Sequence, residues 1–188
     1  MQPYVWCQLL LNLLVFPMGA VLSAAAVVPS SSVRSLTEVS VVRVVVEDLS
    51  EAMQQTGLRK EQLAALAVET LQKNGISVAT AQDPRRVPIV YIRLSSVFAD
   101  SPDHGPMSFY LTLQIKQPAV LAQTDMTRTT QSSTAAAERP LLVTTWENGT
   151  MAMINPSELF FYIKHTLINL LSDLAHDRQL ASEAQASH

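Results

Sequence analysis

The run Val41-Val42-Arg43-Val44-Val45-Val46 is β-branched and apolar on both faces but for one arginine, and it predicts an interior strand over 39–47. Past Gly57 the period changes. Leu63, Leu66, Ala67, Thr70 and Leu71 recur at three-and-four spacing, with Lys60, Glu61, Glu69 and Lys73 mostly opposite, which predicts an amphipathic helix. Asn74-Gly75 predicts its stop, Gly75 supplying a left-handed cap and Ile76 the apolar contact beyond. Extended chain follows at 76–79, and a Pro-bearing loop over 82–88 leads to a second strand at 89–94. There Val90, Ile92 and Leu94 point one way and Tyr91, Arg93 and Ser95 the other. After a loop at 99–106 comes the clearest alternation in the chain. Phe109, Leu111, Leu113 and Ile115 stand against Tyr110, Thr112, Gln114 and Lys116, one face buried and one wet.

Residues 123–138 are Thr/Ser/Ala-rich without an apolar period, and predict a mobile loop or the tip of a long hairpin. Residues 141–146 predict another strand, closed by a turn at Glu147-Asn148-Gly149. The last helix is the most clearly marked element. Asn155 is its expected N-cap, Pro156 its first helical position, and Glu158 the partner in a capping box. Leu159, Phe160, Ile163, Leu167, Leu170, Leu171 and Leu174 then form one apolar stripe. From 181 to 188 the chain is small and polar, and a disordered tail is expected. The order β-α-β-β-β-α predicts an α+β fold. One twisted mixed sheet of four or five strands would carry two helices on a single face, in two layers. Its first strand, helix and second strand would form a right-handed crossover.

The N-terminus is of another kind. No Asp, Glu, Lys or Arg precedes Arg34, and an apolar run extends from 9 to 28. With the small-residue patch Ser23-Ala24-Ala25-Ala26, this predicts a signal peptide over 1–26, cleaved after Ala26. The segment lacks the usual basic start, so an uncleaved membrane anchor is the rival reading, with a buried helix behind it. Cys7 precedes the apolar run instead of following it, which disfavours a lipidated cysteine. Residues 27–37 then form a linker and 38–180 one domain. The expected location is outside the cytoplasm, periplasmic or secreted, with membrane contact only if the segment stays attached.

Composition narrows the function further. A net charge of -3 with 15% charged residues gives no basic footprint for nucleic acid and no polybasic patch for anionic lipid. Arg85-Arg86, beside Pro84 and Pro88, reads as a solvated turn. Cys7 is the only cysteine, and its removal with the signal leaves a fold without disulfides.

Candidate chemistry is thin. Asp173, His176 and Asp177 have metal-like spacing, but near a helix end they read as solvated surface. Asp100, Asp103 and His104 put two carboxylates and an imidazole in one loop, a candidate ligand or general-base set built from ordinary turn residues. His165, beside Lys164, has no obvious nucleophile partner. There is no Gly-x-Ser-x-Gly elbow and no Gly-rich phosphate loop, so no cofactor is expected. Trp146 either plugs the core at a strand end or anchors a partner, together with Tyr110 and Asn148. Asn148-Gly149-Thr150 is a glycosylation sequon, which matters only in a eukaryotic secretory pathway.

The stretches 57–63, 69–76, 89–92 and Thr144-Thr145-Trp146-Glu147-Asn148-Gly149 resemble a group of uncharacterised exported bacterial α+β proteins. The element order is also similar to small envelope modules such as the LPS-assembly lipoprotein and the TolB N-terminal domain. That resemblance implies a module that binds other envelope components, although fold does not fix function. The chain departs from the lipoprotein pattern in lacking a cysteine after its signal. The expected function is a non-enzymatic binding or assembly module of the bacterial cell envelope, its partner another envelope protein. The alternative is a small-ligand or metal-binding enzyme using Asp100, Asp103 and His104.

Overall fold

The computed structural model describes residues 30–80, 82–83, 85–98, 106–119 and 141–186. The predicted signal segment, the predicted loop bearing Asp100, Asp103 and His104, and the predicted loop at 123–138 lie outside them.

The fold is α+β, built on one mixed five-stranded sheet in the order β2-β1-β3-β4-β5. The strands are β1 Val41–Val46, β2 Ser77–Val78, β3 Ile89–Phe98, β4 Met107–Ala119 and β5 Leu141–Ile154. Strand β1 pairs parallel with both β2 and β3, so the valine run is interior, as its two-sided apolar pattern predicts. Strands β3, β4 and β5 form an antiparallel meander.

Among the described residues the helices number four, where the sequence predicts two. They are α1 Ser31–Arg34, α2 Glu51–Gln55, α3 Lys60–Lys73 and α4 Leu159–Ala186. Helix α3 stops as the sequence predicts. Gly75 has φ +74°, the Gly75 N–H donates to the Gln72 carbonyl, and the Ile76 N–H reaches back to the Leu71 carbonyl at 2.9 Å. That pair of bonds closes a Schellman motif, with Ile76 buried beyond it.

Alternation places the core. Val90, Ile92 and Leu94 on β3 and Phe109, Leu111, Leu113 and Ile115 on β4 are buried on the helix-bearing face. Against them lie Leu63, Ala67 and Leu71 of α3 and Ile163, Leu167, Leu170, Leu171 and Leu174 of α4. Each large aliphatic side chain so buried contributes about 1.5–3 kcal/mol of transfer free energy.

Five local expectations are corrected. Residues 30–37 are no free linker, because Leu36 is buried in the core. Gln117 Nε2 also donates to the Ser35 carbonyl at 2.8 Å, and Ser35 Oγ donates to that of Thr145. The Ser-rich composition of that segment masks the one buried side chain, Leu36, that it contributes to the core. Nor is there a turn at Glu147-Asn148-Gly149, since β5 runs unbroken through it with Gly149 opposite Thr112. A Cβ at Gly149 would meet the Tyr110 hydroxyl at 3.0 Å and the Leu111 carbonyl at 3.1 Å. The glycine therefore serves close approach, not a turn.

The capping box does not form either. Asn155 makes no side-chain cap bond, and the chain enters α4 through a 3-10 turn at Pro156–Glu158, with the Glu158 N–H on the Asn155 carbonyl. Phe160 is exposed, so it leaves the predicted stripe. At the other end α4 extends to Ala186 and buries Ala181, where a disordered tail is predicted.

The docked segment gives a test. Leu36→Ala is expected to lower unfolding free energy by about 2–5 kcal/mol, as for a filled core position. Denaturant unfolding of the full chain checks this, and a change within about 0.5 kcal/mol would show that 30–39 is not part of the domain.

Candidate functional site

Paired residues on neighbouring strands share a face, so the register sorts every candidate. Ile115 faces Trp146 across the ladder and Leu113 faces Asn148, which puts both on the helix-bearing side. Trp146 is only 4% exposed, and its indole N–H donates to Asp177 Oδ2 of α4 at 2.9 Å. Asn148 Nδ2 donates to Asp173 Oδ2 at 3.3 Å.

Two sequence candidates thus account for each other. Trp146 and Asn148 are two apart on a strand; Asp173 and Asp177 are four apart on a helix; both spacings put their pair on one face. The carboxylates with metal-like spacing are hydrogen-bond acceptors for β5. Among the described residues no three His, Cys, Asp or Glu side chains are placed to hold a metal ion. Trp146 fills the end of the core, its polar edge satisfied.

Tyr110 lies on the opposite side of the sheet, so the three residues singled out as a partner surface are not brought together. The described helices pack on the other face, and this one carries two distinct regions. At the end where β3 finishes and β4 begins, Val97 is paired with Ser108 and Ser108 with Met153, while Tyr110 is paired with Met151. Val97 is 72% exposed, Met151 75%, Met153 71% and Tyr110 44%. This is an apolar patch on the bare face, reaching the edge strand.

In the middle the surface is polar and self-paired. The Lys116 ammonium sits 3.5 Å from the centre of the Tyr91 ring, and Arg93 Nε lies 3.3 Å from Glu47 Oε2. Burial, reinforced by the neighbouring Glu47 carboxylate, raises the Tyr91 phenol above its ordinary value. Tyr91 therefore stays neutral at physiological pH.

The other end holds a cleft of about 350 Å³, lined by Arg43, Asp83, Arg85, Arg86, Val87, Ile89, Pro118 and Leu142. Arg43 comes from the valine strand and meets the 82–88 loop through an Nη2 bond to the Asp83 carbonyl at 2.8 Å. Asp83 in turn receives Arg85 Nε and Nη2 and the Arg85 backbone N–H. That grip holds the Asp83 carboxyl at about 2, well below its ordinary range. Arg85 and Arg86 are exposed, as a solvated turn requires, and the residue that ties this segment to the sheet is Arg43. The available signal was a lone arginine inside a run of valines. A further cleft, of about 340 Å³, lies between α2 and α3 and is flanked by the Lys60–Asp48 ion pair.

No protein-family model matches the chain, and no curated protein does. A solved structure of a minor lipoprotein from Acinetobacter baumannii is similar, at TM-score 0.34 and 6% identity, over 77% of this chain and 92% of that one. A likeness that distant carries nothing about what this chain does. Among the described residues no helix is long and apolar enough to cross a membrane.

The β5–α4 seam is directly testable. Asp177→Ala leaves the buried Trp146 N–H without an acceptor and is expected to cost about 1–3 kcal/mol of stability, with a change in indole emission. Asp173→Ala, whose partner bond is longer and exposed, is expected to fall within about 0.5 kcal/mol of the parent. Equal effects from the two would contradict the plug.

Proposed function

We propose that the chain is a non-enzymatic, exported binding or assembly module of the bacterial cell envelope, which engages another envelope protein through β5 and the bare apolar patch beside it. The observation that carries this reading is the inequality of the two sheet edges. Strand β2 presents two residues, whereas β5 presents fourteen. Edges left open in soluble proteins are usually blunted by lysines, prolines or short length. Strand β5 is long, has no lysine or proline, and carries Glu147 as its sole charge; its one irregularity is the register shift opposite Ile115 and Lys116, outside the Met151–Met153 end.

A partner strand added along β5 would take its backbone hydrogen bonds from the open ladder. Side chains on the bare side would then meet Met151 and Met153, with Tyr110 behind them. These supply apolar contact area, and the two methionines adapt to varied partners. Trp146 acts from the other face by fixing β5 to α4, so it shapes this surface without touching a partner. The rival enzyme reading rests on Asp100, Asp103 and His104, for which no described feature supplies support.

Crosslinking and affinity recovery from the native envelope test the proposal. The parent is expected to bring down one stoichiometric partner. The Met151→Lys, Met153→Lys double variant, altered only at exposed positions, is expected to lose it at least about tenfold while keeping its unfolding midpoint. Recovery of background proteins alone, or undiminished recovery by the variant, would contradict the reading.

A further inference from the structure

The arginine-lined cleft is remote from the β5 patch along the sheet and stands independently of the reading above. Its charges do not balance. Asp83 is its one carboxylate, and Arg85 engages both of the oxygens. Among the described residues Arg43 has a backbone carbonyl for its Nη2 and no partner for its buried Nε. Arg86 is exposed and makes no ion pair with a described residue. Among the described residues two guanidinium charges are therefore left uncompensated around one opening, in a protein whose net charge is negative.

An unfilled buried donor on a charged group is costly unless something accepts from it. Guanidinium groups match planar or tetrahedral oxyanions, which receive two parallel N–H bonds. The rest of the cleft is apolar, formed by Val87, Ile89, Pro118 and the exposed Leu142. A cavity of about 350 Å³ lies at the small end of ligand sites, room for a compact organic molecule and not for a chain of several sugars or residues.

We propose that this cleft binds a phosphomonoester with a short apolar body, its phosphate between Arg43 and Arg86 and its carbon chain on Ile89, Pro118 and Leu142. Two uncompensated positive charges match a phosphomonoester, which carries about -1.5 to -2 near neutral pH, better than a monocarboxylate. Asp83 and Arg85 are positioning residues. Their mutual grip holds the 82–88 loop over the sheet, and the Asp83 carbonyl aims the Arg43 guanidinium.

The same group occurs on free metabolites and at a lipid headgroup, so three probes are titrated against the full chain. They are inorganic phosphate, hexyl phosphate, and phosphatidylcholine vesicles containing phosphatidic acid. The expected result is saturable binding of hexyl phosphate, tighter than inorganic phosphate and weakened at least about tenfold by Arg86→Gln, the worth of one charge-assisted bond. Arg43→Gln is expected to do the same. Arg86 is exposed and bonded to nothing described, so its variant remains decisive if Arg43→Gln fails to fold. Binding to the vesicles alone, lost in Arg86→Gln, would assign the phosphate to a lipid. Absence of binding to all three probes, or binding that neither variant weakens, would overturn the proposal.

Discussion

The leucine stripe of α4 lies against the apolar row Phe109, Leu111, Leu113 and Ile115 of β4, and the rest of the molecule is arranged around that contact. Strand β4 pairs along its length with β3 on one side and β5 on the other, so whatever fixes β4 fixes the meander. The stripe and row can meet on one side only, because a strand turns alternate side chains to opposite faces. Helix α3 joins the same layer, and the described helices leave the other face of the sheet bare.

Two consequences follow for function. Strand β5 is held firmly from behind, by Trp146 on Asp177, yet its outer edge carries no described strand. A rigid strand with an open ladder is suited to accept another strand with little ordering cost on its own side. The bare face is also divided along its length. Its apolar end runs out to the β5 edge, its centre is closed by the Lys116–Tyr91 and Arg93–Glu47 pairs, and its far end collects arginines. The two proposed sites thus lie at separate ends of one sheet, where occupation of one would not obstruct the other.

Periodicity showed most of this architecture because it is a local signal. The alternation of β4, the Gly75 stop and the α4 stripe each declare themselves within a dozen residues. What stayed hidden depended on distant partners. Asn148-Gly149 has the strongest short-range turn signature, but Gly149 pairs with β4, and Tyr110 and the β4 backbone, nearly 40 residues away, crowd the space a side chain there would take. Leu36 alone makes no pattern, yet the core receives it. The candidate sites show the same limit. Asp173 and Asp177 suggest a metal until Trp146 and Asn148 supply their partners. Arg43 and Arg86, 43 positions apart, form no motif and meet only through the parallel pairing of β1 with β3.

The central claim is that β5 is the working edge of the sheet. Site-specific photo-crosslinking in the native cell tests it most directly, with a photoreactive side chain placed at Met151 or, as a control, at Leu180 on the exposed side of α4. The account predicts one discrete protein adduct from position 151 and none of that mass from position 180. No adduct at 151, or the same adducts from both positions, would contradict it.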